Sequence, residues 1–137
     1  MVAALPRRHP LASTSPLPTA RLAGESFAMF PRRMGPALHD RITRLTRAAG
    51  FEVQVSQEAG HMQTVIGLVA AEVGVSIVPC AMAALRQPGV EFRQLTPTPE
   101  PLPIDLVWRR GETNPVVRNF RTVLTTDSPA RRGRLDS

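Results

Sequence analysis

The sequence is poor in the residues from which several common kinds of site are built. It has one cysteine, Cys80, and no tyrosine, and its aromatic residues are five phenylalanines and one tryptophan. A lone cysteine cannot form an internal disulfide framework, and its place after an apolar run favours a small core residue over a nucleophile. With so few aromatic rings, the chain offers little on which the bases of single-stranded nucleic acid could stack.

The usual catalytic and metal-binding patterns are also missing. Gly35, Gly50 and Gly74 stand alone, so the sequence contains no glycine-rich phosphate loop. Glu58 and His61 are close in sequence, but no second histidine or cysteine lies at metal-ligand spacing. No serine has the glycine frame of a nucleophile elbow. We therefore expect neither an enzyme nor a bound metal or other cofactor.

Long apolar runs are absent as well. No run approaches the roughly 18 residues that a membrane span requires. The apolar residues 1–5 precede Arg7 and Arg8, which inverts the order of a secretory signal. We expect a cytoplasmic protein that makes no membrane contact. The 137 residues allow one domain at most.

The charge balance is basic, with 17 arginines, no lysine, 11 acidic residues and a formal net charge of +6. The arginines occur in scattered pairs and in a C-terminal tail, and they do not gather on one helix face. This distribution favours a solvated positive surface over a nucleic-acid interface.

What the sequence does contain is an alternation of helix and strand patterns over residues 36–79. Gly50 and Gly74 each close a helix-length apolar pattern, and a short β-branched run follows each of them. Helix, strand, helix, strand is the order that builds a parallel sheet in an α/β domain. In such sheets, ligands bind at the carboxyl ends of the strands, where helices begin.

The two predicted helices differ in character. The first, opened by Pro36, has one apolar stripe and a charged face on which Asp40 can pair with Arg44. The second, from about His61 to Val73, has almost no polar face and is typical of a buried helix. The strand after it, residues 75–78, is continuously apolar, as expected of a strand covered on both faces.

Further elements flank this middle part. Strands are predicted at 2–5, 27–30, 53–57, 90–95 and 104–108. A last helix is capped by Asn114, begins with Pro115, and turns Val116, Val117, Phe120 and Val123 inward. The first strand and the final strand–helix pair are each too small to bury their own apolar faces. The connectors 11–18 and 96–103 therefore look like two crossings between two lobes, as in ligand binders that close about a hinge.

At this point many short stretches, in unbroken order over residues 1–125, carry a family resemblance. They include Leu5-Pro6 through Leu11-Ala12, Gly35-Pro36, Ala49-Gly50-Phe51, Leu68-Val69-Ala70-Ala71 with Gly74-Val75 and Val78-Pro79, Val107-Trp108-Arg109-Arg110, and Asn114-Pro115. In these stretches the sequence resembles the effector-binding domain of LysR-type transcriptional regulators.

The resemblance implies a periplasmic-binding-protein-like α/β fold of two subdomains. In that arrangement, residues 1–18 would be a strand of the first subdomain and a hinge crossing. Residues 19–96 would be a nearly complete second subdomain with a parallel-rich sheet. Residues 97–125 would be the return hinge with a strand and helix of the first subdomain, and residues 126–137 a disordered basic tail.

The implied function is the sensing of a small, often anionic or aromatic effector that modulates DNA binding. DNA would be bound only through an N-terminal helix-turn-helix that these residues do not contain. The parent protein would be a homo-oligomer, a dimer or tetramer, and the resemblance allows it a contact with RNA polymerase. A stand-alone small-molecule-binding α/β domain with no role in transcription stays open as the alternative.

The resemblance also points to a ligand loop, which follows the strand at 27–30 and leads into the first helix. Its candidate contacts are Arg32, Arg33, Gly35, Pro36, Ala37 and Leu38. A carboxylate there could accept hydrogen bonds from the free N–H groups of the helix N-terminus and a bidentate pair from an arginine. Gln63 and Thr64, at the start of the second helix, would open on the same sheet edge. The plainer alternatives are solvated arginines, a simple Gly-Pro turn, and a capping or solvent role for Gln63 and Thr64.

Overall fold

The computed structural model describes residues 1–101 and 105–126, which divide into two compact units, Met1–Pro103 and Ile104–Ser137. The strands in the described residues are β1 (Val2–Pro6), β2 (Leu17–Pro18), β3 (Ser26–Met29), β4 (Gln54–Glu58), β5 (Ser76–Val78) and β6 (Val90–Thr96). The α-helices there are α1 (Pro36–Ala48), α2 (Met62–Ala70) and α3 (Pro115–Thr126). Short 3₁₀ segments cover Pro10–Ser13, Thr19–Leu22 and Cys80–Leu85. Among these residues no helix has the length and apolar character needed to cross a membrane.

The sheet of the first unit is mixed. β1 lies between β5 and β6 and runs antiparallel to both, and β2 runs parallel to β6 at the far side. β3 and β4 form a parallel pair. A parallel bridge between Phe27 and Val75 joins the two pieces and gives the strand order β2-β6-β1-β5-β3-β4.

We call this junction, formed by residues 26–28 and Val75, the seam. Val75 N–H donates to the Ser26 carbonyl at 2.8 Å, and Ala28 N–H donates to the Val75 carbonyl at 2.9 Å. Residues 75–78 are all buried, which confirms that this strand is covered on both faces.

Two apolar cores lie on the two faces of the sheet, because successive side chains of a strand point to opposite sides. Ala3 and Leu5 of β1 pack in the core that holds Ile42 of α1. Val2 and Ala4 pack in the core that holds Val65, Ile66 and Val69 of α2. The first unit is therefore a sheet between two helical layers.

The helix–strand–helix–strand order predicted for residues 36–79 is confirmed by α1, β4, α2 and β5. Gly50 ends the first helix as expected, since it follows the C-cap residue Ala49 with a left-handed φ of +87°. The second helix is shorter than predicted, because it ends at Ala70 and not at Val73.

Gly74 does not have the predicted role of a helix stop. The left-handed residue after α2 is Glu72, with φ +61°. Gly74 instead allows two backbones to approach each other, since a Cβ atom there would lie 2.4 Å from the Ser26 carbonyl oxygen. Close backbone approach is the second common reason for a glycine beside a strand.

The position of β1 also differs from the expectation that residues 1–18 belong to another subdomain than residues 19–96. Val2 pairs with Val78 on one side and with Gln94 on the other, so β1 is an inner strand of the same sheet. A short apolar run carries no local signal of partners so distant in the chain. The assignment of residues 97–125 to a first subdomain stays a prediction.

Cys80, expected in the core, is exposed. β5 ends at Val78, and Pro79 then leads into a 3₁₀ segment in which no residue is buried. The chain has therefore left the core before it reaches the thiol.

The second unit is described over residues 105–126. Asn114 caps α3 as predicted, since its Oδ1 accepts a hydrogen bond from Val116 N–H at 2.9 Å. Residues 105–108 form no strand, because a strand requires a paired neighbour and no other strand is found in this part of the chain. Val116, Phe120 and Val123, expected to face inward, are 72%, 56% and 57% exposed. Most of the predicted basic tail, residues 127–137, lies outside the described residues.

Candidate functional site

One edge of the sheet gathers the carboxyl ends of three strands. β3, β4 and the bridge residue Val75 run in the same direction, so Met29, Glu58 and Val78 end their strands at this edge. We call it the carboxyl edge and define it by residues 30–38, 59–64 and 79–80. It is the edge at which open α/β sheets bind ligands.

Two helices begin at the carboxyl edge, and neither has a side-chain cap. His39 N–H donates to the Gly35 carbonyl at 3.0 Å, and Val65 N–H donates to the His61 carbonyl at 3.1 Å. Because these bonds close the first turns, the preceding N–H groups have no acceptor inside the helices. Those groups belong to Ala37 and Leu38 in α1 and to Met62, Gln63 and Thr64 in α2.

The loops that lead into these helices contact each other. The thioether of Met34 lies over Gly60, where an added Cβ atom would be 3.3 Å from Sδ. The ring of Phe30 lies against Gly35, with an added Cβ atom 2.9 Å from two ring carbons. Sequence reasoning missed Met34 and Gly60, because neither has a periodic or motif signal. Only the fold brings them together.

The two candidate arginines lie in different surroundings. Arg32 forms a bidentate pair with Asp40, with distances of 2.7 and 3.0 Å between nitrogen and oxygen. The hydrogen bond from this guanidinium lowers the pKa of the Asp40 carboxyl group. The sequence instead predicted Arg44 as the partner of Asp40, a pair that is not among the ion pairs of the described residues.

Arg33, in contrast, is exposed and takes part in none of the ion pairs within residues 1–101 and 105–126. Of the two guanidinium groups in the loop, that of Arg32 is therefore committed to holding the loop against α1. Arg33 has its charge available to a ligand.

The predicted site residues all lie at the carboxyl edge. Gly35 and Leu38 are half-buried, and Leu38 packs against the core beneath α1. The exposed members are Arg32, Arg33, Pro36, Ala37, Gln63 and Thr64. Cys80 lies at the same edge. Within the described residues, no group of three His, Cys, Asp or Glu side chains could hold a metal ion. The edge is suited to an anion, which helix N-termini bind through N–H groups and the positive end of the dipole.

Comparison with known proteins defines the class to which this fold and site belong. The family model of the LysR substrate binding domain matches residues 1–128. The chain therefore belongs to the LysR substrate-binding domain family.

Similar curated proteins are transcriptional regulators. The chain is 40% identical over 124 residues to the HTH-type transcriptional regulator CatR of Pseudomonas putida. The aligned region covers 90% of this chain and 43% of CatR. It is 38% identical over 115 residues to the regulator IlvR of Caulobacter vibrioides, covering 84% of this chain and 38% of IlvR. The chain thus spans about two fifths of the length of these relatives.

Solved structures show the same fold at low sequence identity. The C-terminal domain of a probable LysR family regulator from Rhodococcus sp. RHA1 matches with a TM-score of 0.72 and 21% identity, over 90% of this chain and 62% of that one. The BenM effector binding domain with its effector benzoate matches with a TM-score of 0.67 and 17% identity, over 96% and 62%. The expected fold class, a LysR effector-binding domain of mixed α/β structure, is confirmed.

Proposed function

We propose that this chain is the ligand-sensing part of a LysR-type transcriptional regulator and that it binds a small anionic effector at the carboxyl edge. The observation that carries the proposal is the pair of uncapped helix N-termini, those of α1 and α2, at one edge of the sheet. Each leaves N–H donors without intrahelical partners, and each contributes about half a positive charge.

The proposed contacts follow from the surroundings of each group. The anion would accept hydrogen bonds from Ala37 N–H and Leu38 N–H, with Gln63 and Thr64 on the other helix as further donors. Arg33 would supply the free guanidinium charge, and Arg32 would position the loop through Asp40. Pro36 and Gly35 shape the backbone there, since Pro36 has no N–H and Gly35 has no Cβ atom.

Effectors of structural relatives have the chemistry that this edge would require. BenM binds benzoate, and the effector binding domain of QuiR has been solved with shikimate. Both ligands are carboxylates at neutral pH. We extend that chemical class, a small carboxylate, to this chain.

The rest of the proposal concerns the parent protein. DNA would be bound by a part of the regulator outside this chain. The regulator would be a homo-oligomer that could contact RNA polymerase. This chain would catalyse no reaction. A regulator acts where promoter DNA is, so the proposal includes the cytoplasmic location expected from the sequence.

The test is a titration of the full 137-residue chain with sodium benzoate and sodium shikimate, followed through the backbone amide signals in NMR spectra. We expect the signals of Ala37, Leu38, Gln63 and Thr64 to shift together. Ala37→Glu should weaken binding of the responding anion by about tenfold, because it adds a negative charge beside the N–H donors. The uncharged variant Ala37→Gln is the matched control and should change binding by less than about twofold.

A second matched pair tests the arginine assignment. Arg33→Gln should weaken binding more than Arg32→Gln, since Arg32 is already paired with Asp40. Equal effects of Ala37→Glu and Ala37→Gln, or signal shifts confined to residues away from the carboxyl edge, would contradict the proposed site. In the parent regulator, a substitution of Leu38 should alter induction and leave operator binding unchanged.

A further inference from the structure

A cavity of about 420 Å³ opens at the opposite edge of the sheet from the carboxyl edge. Pro6 ends β1, Ser26 begins β3, and Gly74 and Val75 precede β5, so the cavity lies where three strands meet at this edge. Its volume lies within the range of small-molecule sites. It shares no lining residue with the proposed effector site.

The cavity carries one positive and one negative side chain that are not used elsewhere. Arg8 and Glu72 both line it. Among the ion pairs of residues 1–101 and 105–126, none includes either of them. The protein therefore places two opposite, unpaired charges around one concave surface without joining them to each other.

The other polar wall of the cavity is fixed by His9. Its Nδ1 accepts a hydrogen bond from Leu11 N–H at 3.2 Å, which leaves the proton of the neutral ring on Nε2. Nε2 lies 3.3 Å from Oε2 of Glu25, which also lines the cavity. The pair connects the 6–10 turn with the start of β3. It orients the Glu25 carboxylate while leaving its second oxygen available.

The end of α2 places Glu72 at the cavity. Glu72 has a φ of +61°, a region that side chains other than those of glycine and asparagine rarely adopt. Held there, the residue presents its carboxylate on a tight turn between α2 and β5. This conformation ends α2 in a Schellman motif, in which Glu72 N–H donates to the Val69 carbonyl at 3.0 Å and Val73 N–H donates to the Leu68 carbonyl at 3.1 Å.

From these observations we propose that the cavity binds a small zwitterion, an α-amino acid with an apolar side chain. The ammonium group pairs with the carboxylates of Glu72 and Glu25, and the carboxylate pairs with Arg8. The apolar remainder lies on the exposed side chains of Pro10 and Val73. The site is separate from the carboxyl edge, so its ligand and the effector could bind at the same time.

The test uses three probes of nearly equal size on the full chain, measured by isothermal titration calorimetry and by amide NMR shifts. L-Leucine carries both charges, 4-methylpentanoate lacks the ammonium group, and 3-methylbutylamine lacks the carboxylate. We expect L-leucine to bind and each of the other two to bind at least about tenfold more weakly, because each loses one charge-assisted contact. The NMR shifts should centre on residues 6–10, 24–26 and 72–75.

Variants separate the cavity from the effector site. Arg8→Gln and Glu72→Gln should each weaken L-leucine binding by about tenfold and leave benzoate binding unchanged. Arg44→Gln, an exposed arginine on α1, is the matched control and should have no effect on either ligand. Far-UV circular dichroism of each variant checks that it remains folded.

Three results would overturn the inference. The first is the absence of L-leucine binding to the folded chain. The second is equal binding of the three probes, which would mean that neither the ammonium group nor the carboxylate of the ligand contributes to binding. The third is L-leucine shifts at Ala37 and Leu38 in place of the cavity, which would assign the ligand to the carboxyl edge.

Discussion

The substitution Gly74→Ala tests how the two pieces of the sheet are joined. A Cβ atom at Gly74 would lie 2.4 Å from the Ser26 carbonyl oxygen and 3.0 Å from its carbonyl carbon. Both atoms belong to the backbone, so no side chain can rotate away to relieve the overlap. β3 and the segment before β5 must move apart.

The cost follows from what that movement breaks. The Ser26 carbonyl accepts from Val75 N–H, and the Val75 carbonyl accepts from Ala28 N–H. Each backbone hydrogen bond contributes roughly 1 kcal/mol, and overpacking of a tight contact costs roughly 1–3 kcal/mol. We therefore expect Gly74→Ala to lower the free energy of unfolding by about 3–5 kcal/mol.

The measurement is urea unfolding of the full chain, followed by far-UV circular dichroism, with Gly67→Ala as the matched control. Gly67 lies within α2, where an added Cβ atom meets nothing within 4 Å. That substitution should raise stability by about 0.5–1 kcal/mol, as replacement of glycine in a helix usually does. If Gly74→Ala unfolds at the same urea concentration as the wild type, the seam does not have the close approach described here.

Two further substitutions test local contacts. Asp40 has a lowered pKa because Arg32 stabilises its charged form. The pair therefore contributes to stability at higher pH. That contribution is lost as the pH falls below the ordinary pKa of 3.8 and through the lowered pKa of the folded state. Arg32→Gln should therefore move the pKa of Asp40 upward in an NMR titration of the carboxyl carbon, while Arg44→Gln should not; no upward shift would rule out the pair in solution. Asn114→Ala should destabilise α3 by about 1 kcal/mol, because Val116 N–H loses its acceptor, and Asn114→Ser should retain most of the helicity. Equal helicity of the alanine and serine variants would show that the cap contributes nothing.

The parts of the fold that sequence predicts well are those whose signals are local. The start of α1 at Pro36, its end before Gly50 and the Asn114 cap of α3 each depend on residues within one or two turns. Family resemblance adds the fold class, while the ligand loop at residues 32–38 stays a prediction.

Features that sequence does not predict depend on partners distant in the chain. β1 is an apolar run whose neighbours are residues 76–78 and 90–94, so its sequence does not show that it lies inside the sheet. In the sequence, Gly74 closes an apolar helix pattern just as Gly50 does, yet only the position of Ser26 reveals why residue 74 must be glycine.

The candidate site shows the same division. Its residues could be named from the loop and the helix start, because a helix N-terminus after a strand is a local pattern. Only the three-dimensional structure shows that Arg32 pairs with Asp40 and that Met34 contacts Gly60. Side-chain pairing in a loop has several sterically equivalent solutions, and the sequence does not choose among them.

The pairing of β1 with β6 has a practical consequence for protein engineering. Val2 lies directly opposite Gln94, so the segment from β1 to β6 starts and finishes on adjacent strands. A segment with neighbouring ends can be grafted into a surface turn of a host protein, or its own ends can be linked and new ones opened elsewhere. Such a graft would join a reporter enzyme to this domain through two short peptide links.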